Sequence, residues 1–324
     1  MKISYKHLSK NTFSKPDLNE LSEKLFQLGH EHEIVGDIFD FELTPNRGDC
    51  LSLNGLLRDL RQFYKISLED IYKEDIKTYK FNFKNNAKKQ CKKISFLKIE
   101  IDDAPKKYNG VLKDYFIDLD LKKNNFFTDV SNYISYETGQ PTHCYDLTKI
   151  YEPITLDFLN QKIDFNTLLG KKITLNEDSL VFFDKNSQVI NLAGIIGGES
   201  TSCDKNTKTV LVECAHFDPE VILGKALKYN LNSEAAHKFE RNTDYGCHEN
   251  VLRRMLKIID EHALIKDVQI FTQENENLKE KSIDFNEEKI NKILGTSISK
   301  KDMREILLRF GFKFDKKTNI HSNI

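Results

Sequence analysis

The sequence lacks long apolar runs and clustered cysteines. No stretch reaches the roughly 18 apolar residues of a membrane-spanning helix, so we expect no transmembrane segment. The N-terminal segment, residues 1–17, has no apolar core of the kind found in secretory signal peptides. The six cysteines are scattered and form no Cys-x-x-Cys pair, which favours reduced thiols in a cytosol over disulfides or a zinc knuckle. These absences predict a cytoplasmic protein.

An excess of charge of one sign is also absent. The chain of 324 residues has 49 Lys and Arg against 50 Asp and Glu, for a net charge of −1. Composition alone therefore does not indicate nucleic-acid binding, although a local basic face is compatible with it. The local His/acid cluster His30-Glu31-His32 has no further ligands near it in the sequence. We interpret it as a solvated loop after a helix, and we predict no metal site.

Residues 1–72 predict a small N-terminal α+β domain. Asp17 can cap a helix that Gly29 ends, because leucines recur on one helical face at positions 18, 21, 25 and 28. Residues 37–43 alternate as a strand does, and Asp49 is predicted to cap a second helix that reaches Phe63. Residues 73–92 are charged and weakly periodic, and we assign them to a linker.

Residues 93–272 predict a central mixed α/β domain. Asp218 followed by Pro219 is a helix start, and we expect that helix to reach about Tyr229, with Asn230 in the left-handed position that ends it. β-type runs separated by turn residues predict strands and hairpins at 97–101, 172–175, 180–183, 189–192 and 209–212.

Residues 279–324 predict two short helices and a strand, as in part of a helix-turn-helix or winged domain. Gly295 ends the first helix, and Ser299 caps the second. The strand at 312–314 has little sequence after it to form a partner, so we expect a truncated domain. The fold class expected is α+β and multidomain.

Five stretches of the sequence form an ordered set of distinctive motifs: FELTPNRGDCLSLNGLLRDL, SNYISYETGQPTHCYDLTKI, NLAGIIGGES, TVLVECAHFDP and HKFER. In their order and spacing they resemble one family, the β subunit of bacterial phenylalanyl-tRNA synthetase (phenylalanine–tRNA ligase). The resemblance continues into INKILGTSISKKDMREILLRFGF, which is similar to the start of that subunit's later helix-turn-helix-like domain. It covers nearly the whole chain except the linker.

The resemblance implies a subunit of an aminoacyl-tRNA synthetase, a ligase in protein synthesis. The implied partners are an α subunit, in a heterotetramer of two α and two β subunits, and tRNA; neither membrane nor DNA is implied. ATP and Mg²⁺ are implied for the holoenzyme. Because the α subunit carries aminoacylation in this family, the chain alone is not expected to charge tRNA.

The sequence departs from the family in its domain content. An OB-fold tRNA-binding insertion usually lies between the first helix and the TPNR strand, whereas only residues 31–36 lie there in this chain. The family's catalytic-like and anticodon-binding domains lie outside this sequence. We therefore expect a partial β subunit.

The central domain of the family hydrolyses tyrosine that has been mischarged onto the phenylalanine tRNA. A site built for Phe rejects a side chain with an added hydroxyl only about 10²-fold, so a second site must read that hydroxyl. The resemblance places Glu213 opposite the tyrosyl hydroxyl and His143 at the hydrolytic water or the ester. It places Gly197 where backbone approaches the ligand, and Ser233 and Ala235 in the pocket wall.

Each of these residues also has an ordinary structural interpretation. Glu213 follows an apolar strand and could cap the approach to the helix at 218 or pair with a Lys. His143 could be a polar residue of a turn after Gly-x-Pro, and Gly197 a β-turn glycine. Ser233 is a natural helix N-cap, and Ala235 an ordinary helix alanine.

Three further positions depart from the family's pattern. Lys122 falls where the family has an Arg, and Lys lacks the planar guanidinium that holds phosphate. Asn242 and Tyr245 replace a Gly and a Pro of the family's motif. These changes predict altered binding of the tRNA end, or a site that has lost its activity. Cys144 and His143 are adjacent in an extended segment and so point to opposite sides, which argues against a Cys-His dyad.

Three functional hypotheses remain open from the sequence. The chain is a synthetase β subunit that acts in an αβ assembly, a free-standing hydrolase that edits Tyr-tRNA in trans, or a non-catalytic tRNA- or partner-binding relative of the subunit.

Overall fold

The computed structural model describes residues 1–67, 70–276, 281–314 and 319–322. It has the mixed α+β composition that the sequence predicts. The helices are α1 (Tyr5–Lys10), α2 (Leu18–Gln27), α3 (Leu53–Leu60), α4 (Gly110–Asp118), α5 (Phe126–Thr138), α6 (Pro219–Ile222), α7 (Lys225–Lys228), α8 (Glu234–Phe239), α9 (His248–Asp260), α10 (Glu287–Leu294) and α11 (Lys300–Arg309). Short 3₁₀ turns lie at Gly48–Cys50, Leu147–Lys149 and Glu199–Thr201.

The strands form five sheets in the described part of the chain. They are β1 (Lys2–Ser4), β2 (His32–Val35), β3 (Ile38–Phe41), β4 (Lys77–Thr78), β5 (Phe83–Asn85), β6 (Cys91–Ile101), β7 (Thr142–Asp146), β8 (Ile154–Phe158), β9 (Ile163–Asn166), β10 (Lys172–Leu175), β11 (Leu180–Phe183), β12 (Val189–Leu192), β13 (Ile196–Gly197), β14 (Thr209–Phe217), β15 (Ile265–Glu274), β16 (Lys281–Asp284), β17 (Lys313–Phe314) and β18 (Asn319–Ser322). Contacts divide the chain into two units. Unit 1 is Met1–Glu42, Asn54–Leu68 and Asn277–Ile324, and unit 2 is Leu43–Leu53 and Glu69–Glu276.

Unit 1 contains an antiparallel sheet of order β1-β3-β2. The predicted cap of α2 is confirmed, because the Asp17 carboxylate accepts a hydrogen bond from the Glu20 amide at 2.9 Å. Gly29 follows the helix with φ +82, a left-handed conformation that Gly adopts without strain. The solvated-loop interpretation of His30 is wrong. Its ring is 2% exposed, and its Nε2 lies 3.0 Å from Asp59 Oδ2.

The C-terminal elements of unit 1 form a second sheet of order β16-β18-β17, accompanied by α10 and α11. Gly295 and Ser299 end and cap the two helices as predicted. The expectation that the strand at 312–314 has no partner is wrong, because β17 pairs antiparallel with β18. Phe285 and Met303 form the buried centre of a small apolar cluster that packs these helices against the sheet.

Unit 2 is built on two five-stranded sheets. The first has the order β4-β15-β6-β14-β7, and the second has the order β13-β12-β11-β8-β5. The facing sides of the two sheets share one apolar cluster, to which the first contributes Phe96 and Leu211 and the second contributes Leu156 and Phe182. The other side of the first sheet is covered by α5 and α9. Strand β6 is therefore buried on both faces rather than on one.

The segment 73–92, predicted to be a linker, belongs to the sheets of unit 2. Strand β4 pairs in parallel with β15, and β5 pairs in parallel with β8. The alternating aromatic residues Tyr79, Phe81 and Phe83 are the reason, since they pack on the shared apolar cluster. The Phe81 ring, for example, lies 4.8 Å from that of Phe96. The surrounding lysines hide this period-two pattern in the sequence.

Two predicted helices have different bounds in the structure. The helix expected from 218 to Tyr229 is split into α6 and α7, because Gly224 takes φ +72 and its amide bonds Glu240. Asn230 is left-handed, with φ +51, as predicted. Asp49 does not cap α3, which begins at Leu53. The Asp49 carboxylate instead forms a two-point ion pair with Arg47, with N···O distances of 3.1 Å.

None of the described helices is long and apolar enough to cross a membrane. The six cysteines all lie in the described ranges, and each is a free thiol.

Candidate functional site

The register of β7 and β14 brings the two central candidates together. These strands are antiparallel, and His143 lies directly opposite Glu213. Side chains at opposite positions of an antiparallel pair lie on the same face, with Cβ atoms about 5 Å apart. That face is the one turned to the second sheet, since Tyr145 and Leu211 on it belong to the shared apolar cluster. His143 thus lies in a strand, and its interpretation as a turn residue is wrong.

Glu213 lies in the middle of β14 and takes part in a buried polar network. The Tyr145 hydroxyl donates to Glu213 Oε2 at 2.5 Å. Asn191 Nδ2, from β12 of the second sheet, donates to the Tyr145 hydroxyl at 2.6 Å and to the same Oε2 at 3.2 Å. The exposed fractions of Glu213, Tyr145 and Asn191 are 5%, 1% and 3%. The alternatives of a helix cap or a Lys partner for Glu213 are therefore wrong.

Burial controls the protonation of Glu213. Removal from water raises the pKa of this carboxyl to about 7, while the hydrogen bonds from Tyr145 and Asn191 lower it. Burial, followed by the proximity of Glu213, raises the pKa of the Tyr145 hydroxyl well above its usual value, so the phenol stays protonated and donates. The Glu213 carboxyl therefore titrates near neutral pH while it lies beside the hydrogen-bond donors Tyr145 and Asn191.

His143 is half-buried as a residue, yet its Nε2 is shielded from solvent. Among the described residues this nitrogen has no hydrogen-bond partner. The ring packs edge-on against Tyr145, with centroids 4.4 Å apart and planes at 85°. Burial lowers the pKa of His143 to about 4, so the imidazole is neutral at physiological pH. A shielded and unpartnered ring nitrogen is uncommon in folded proteins and requires an explanation.

Gly197 makes room for the His143 ring. It lies in β13 opposite Asn191, within a strand rather than a turn. A Cβ added to Gly197 would lie 2.1 Å from His143 Cε1 and 2.4 Å from Nε2. Only Gly allows the imidazole to occupy this position. The sequence predicts that the Gly197 backbone lies close to a ligand. In the structure it is the His143 ring that lies close to Gly197.

Ser233 uses both hydrogen-bonding functions of its hydroxyl within the fold. The oxygen accepts a hydrogen bond from the Ala236 amide at 3.1 Å and so caps α8. The proton is donated to the Ile195 carbonyl at 2.6 Å, which ties α8 to the turn before β13. Ala235 is half-buried beside the shared apolar cluster.

Lys122 is separate from the other candidates. It is exposed in the loop between α4 and α5. Within the described ranges, no hydrogen bond or ion pair joins it to the other five predicted residues. Asn242 has φ +66, a left-handed conformation that Asn adopts more readily than most residues other than Gly. Tyr245 packs edge-on against His216 at 5.3 Å.

Cys144 lies on the opposite face from His143, as predicted. Its Sγ contacts the Phe127 carbonyl at 3.5 Å on the helical side of the sheet. Burial raises the pKa of this thiol well above its usual value, so no thiolate faces His143. The two residues do not form a dyad.

Sequence reasoning missed Tyr145 and Asn191, which complete the site. Tyr145 shares the face of His143 two residues on, and this alternation was the available signal. Asn191, in the apolar run Val189–Leu192, was a second signal, because a polar side chain in a buried strand requires a partner. Neither signal shows that both side chains meet at Glu213.

The site lies in the part of the chain that matches a known family. Residues 101–264, half of the chain, match the family model described as "B3/4 domain". Two relatives of this chain are named "Phenylalanine--tRNA ligase beta subunit". The one from a Wolbachia species is 27% identical over 94% of this chain and 40% of the relative. The one from Rickettsia prowazekii is 30% identical over 87% of this chain and 38% of the relative. The chain thus spans about two-fifths of the length of these relatives.

A solved structure, an N-terminal fragment of the phenylalanyl-tRNA synthetase β subunit from Pyrococcus horikoshii, has a TM-score of 0.48 and 14% identity. It covers 100% of this chain, and this chain covers 95% of it. The match of the family model over half of the sequence establishes that the chain belongs to the B3/4 domain family.

Proposed function

We propose that the chain acts as part of a phenylalanine–tRNA ligase β subunit, together with an α subunit in an assembly of two α and two β subunits. The relatives that share its sequence over most of its length support this role. Its substrate in that assembly is tRNA, and its place of action is the cytoplasm. ATP and Mg²⁺ serve the aminoacylation reaction of the α subunit. We assign none of the residues of this chain to them.

Within this assembly, unit 2 hydrolyses tyrosine esterified to the phenylalanine tRNA. The unpartnered Nε2 of His143, directly across the sheet from the buried Glu213, is the observation that carries this proposal. Glu213 Oε2 accepts two hydrogen bonds, whereas Oε1 accepts none from the described residues. Oε1 is therefore the oxygen that meets the tyrosyl hydroxyl of the ligand. Leaving a buried polar group unpaired costs about 1–3 kcal/mol, which is how such a site selects its ligand.

The reaction is the hydrolysis of an ester. The oxygen of a water molecule attacks the ester carbonyl carbon, and the bond from that carbon to the ribose oxygen of the tRNA breaks. The products are free tyrosine, a ribose hydroxyl and a proton released to solvent. Because the pKa of His143 is lowered to about 4, its neutral Nε2 orients the water as a hydrogen-bond acceptor and is too weakly basic to hold a proton at pH 7.

Deacylation of Tyr-tRNA tests the proposal directly. The purified chain is compared with His143→Ala and Glu213→Ala, and His262→Ala serves as the control. His262 is a matched control because its Nδ1 bonds the Ile258 carbonyl, away from the site. We expect the first two variants to lose about 10²-fold in rate or more and the control to keep the full rate.

The same assay separates the competing functions. Hydrolysis by the chain alone, without co-purification of an α subunit, indicates a free-standing hydrolase. Binding of tRNA without hydrolysis above background, by the chain or by its complex with the α subunit, indicates a non-catalytic role and removes the hydrolase proposal.

A further inference from the structure

Arg241 has a donor edge that the fold leaves unpaired. Its Nη1 donates to His237 Nδ1 at 3.0 Å and to the His237 carbonyl at 3.1 Å. The opposite edge of the guanidinium carries Nε–H and one N–H of Nη2, which are parallel and match two oxygens of a carboxylate or a phosphate. Among the described residues, neither of these nitrogens has a hydrogen-bond partner. Nε is shielded from solvent, whereas Nη2 is not.

The other arginines of unit 2 show what this edge usually holds. In each of them Nε donates to a carboxylate. The pairs are Arg47 with Asp49 at 3.1 Å, Arg253 with Glu249 at 3.0 Å and Arg254 with Glu137 at 2.7 Å. A shielded donor without a partner is uncommon in folded proteins and requires an explanation. Because the guanidinium is always charged, the partner that best satisfies the edge of Arg241 is an oxyanion.

Two motifs that the proposed function does not use meet at Arg241. The residue ends the HKFER stretch, and Gly48 of the TPNRGDC segment packs against its backbone. A Cβ at Gly48 would lie 2.3 Å from the Arg241 carbonyl oxygen, so a side chain at this position would push the two segments apart. Asn242 follows in a left-handed conformation, with φ +66. This packing and the two bonds to His237 fix where the guanidinium lies.

The edge lies on the segment that follows α8, at a distance from the reacting atoms. The start of α8 is next to the proposed site, because its cap Ser233 donates to the Ile195 carbonyl. Gly197, two residues on, contacts the His143 ring. The eight residues from Ser233 to Arg241 span about 12 Å of helical backbone. The aminoacyl ester is the end of an RNA strand in which each preceding linkage carries one phosphate, so a phosphodiester is the oxyanion within reach of Arg241.

We propose that the Nε–Nη2 edge of Arg241 binds one phosphodiester of the single-stranded end of tRNA and thereby positions the aminoacyl ester in unit 2. This inference rests on the proposed function. Arg241 touches no reacting atom, so it is a positioning residue. The phosphate enters from the open side at Nη2, and its second oxygen gives Nε a partner. Two-point binding fixes the orientation of the phosphate, which a single lysine ammonium does not.

The test removes the charge of one phosphate at a time. The probe is a synthetic RNA hairpin of a tRNA acceptor stem that ends in single-stranded CCA. In a matched series, each phosphodiester of that end is replaced in turn by an uncharged methylphosphonate. Dissociation constants for the full chain are measured by fluorescence anisotropy.

For the unsubstituted chain we expect one of these replacements to weaken binding about 10-fold. In Arg241→Gln the unmodified hairpin should bind about 10-fold more weakly, and the same replacement should then cost less than about 2-fold. A merely structural role of Arg241 would not single out one linkage. The slope of the logarithm of the binding constant against the logarithm of salt concentration should also fall by about 1 in Arg241→Gln, because one phosphate contact is lost.

Arg253→Gln is the matched control. Arg253 also lies in unit 2, but its Nε pairs with Glu249, and its Nη1 donates to the carbonyls of Tyr72 and Glu74 at 3.1 and 3.0 Å. We expect this variant to change neither the affinity for the hairpin nor the methylphosphonate penalty by more than about 2-fold. Arg241→Lys keeps the charge and loses the two-point edge, so the sensitive replacement should cost it only about 3-fold.

Several results overturn the inference. They are equal penalties at all linkages, a penalty in Arg241→Gln equal to that in the unsubstituted chain, the same loss in Arg253→Gln, and no binding of the hairpin to the chain. If Arg241→Gln does not fold, Arg241→Lys decides, since an unreduced penalty of about 10-fold in that variant overturns the inference. Loss of α-subunit binding in Arg241→Gln at unchanged RNA affinity assigns the edge to a protein carboxylate and also overturns it.

The two proposals fail separately. The expected penalties without hydrolysis of Tyr-tRNA overturn the proposed function alone. Hydrolysis by the unsubstituted chain with none of these penalties overturns this inference alone.

Discussion

Replacing Glu213 by Gln tests the most specific electrostatic consequence of the structure. Burial raises the pKa of this carboxyl from 4.5 to about 7. In the unfolded chain Glu213 loses its proton near pH 4.5, whereas in the folded chain it holds the proton until about pH 7. The contribution of Glu213 to stability is therefore fully present below pH 4.5 and is lost as the pH rises to 7. A pKa difference of this size corresponds to about 3 kcal/mol.

His143 acts in the opposite direction over nearly the same range. Its pKa falls from 6.5 to about 4, so its contribution is present above pH 6.5 and is lost as the pH falls to 4. In the unsubstituted chain, the opposite pH dependences of the Glu213 and His143 contributions to the free energy of unfolding therefore largely cancel. Glu213→Gln keeps the shape of the side chain and removes its titration. The variant should therefore gain about 3 kcal/mol relative to the unsubstituted chain between pH 4.5 and 7.5.

The assay is urea unfolding at several pH values, followed by far-ultraviolet circular dichroism. Because the chain has two units, hydrogen exchange of peptides from β7 and β14 assigns the change to unit 2. Glu249→Gln is the control, since the Glu249 side chain is 73% exposed on α9. A difference between variant and unsubstituted chain that stays constant within about 0.5 kcal/mol across this pH range refutes the reasoning.

Three further substitutions test individual contacts by thermal unfolding. In Gly197→Ala the new Cβ lies 2.1 Å from the His143 ring, so the substitution should displace the ring and destabilise the fold by about 1–3 kcal/mol. Unchanged stability together with an unchanged rate of Tyr-tRNA deacylation contradicts this geometry. Ser233→Ala removes the cap of α8 and should cost about 1 kcal/mol, with Ser233→Thr as the conservative control. Glu137 accepts a hydrogen bond from Arg254 Nε at 2.7 Å in a buried ion pair. Glu137→Ala removes this carboxylate and should destabilise the fold by about 3–5 kcal/mol. A loss of stability below about 1 kcal/mol shows that the pair does not stabilise the fold.

The structure also corrects how two local patterns are interpreted. The lysines of segment 73–92 mask the alternation of its aromatic residues, so the sequence predicts a linker, whereas the rings pack on the sheets. The sequence also predicts that Asp49 caps α3, yet its carboxylate pairs with Arg47 two residues earlier. In both cases the residue type suits either role, and its neighbours in space decide between them.

The sequence by itself determined what depends on near neighbours. The cap at Asp17, the helix ends at Gly29 and Gly295, and the opposite directions of His143 and Cys144 follow from contacts within one helical turn or one strand. The ordered motifs also pointed to the family and to Glu213 and His143. These features need no knowledge of distant residues, because backbone hydrogen bonding and strand alternation are local properties.

Only the tertiary structure decided the chemical state of the site. Tyr145 is 68 residues from Glu213 in the chain and Asn191 is 22, yet both bond the same carboxylate oxygen. The protonation of Glu213 and His143 depends on how completely the two sheets of unit 2 exclude water from them. Exclusion of water and long-range partners arise from packing between strands that are distant in sequence, so no local pattern specifies them.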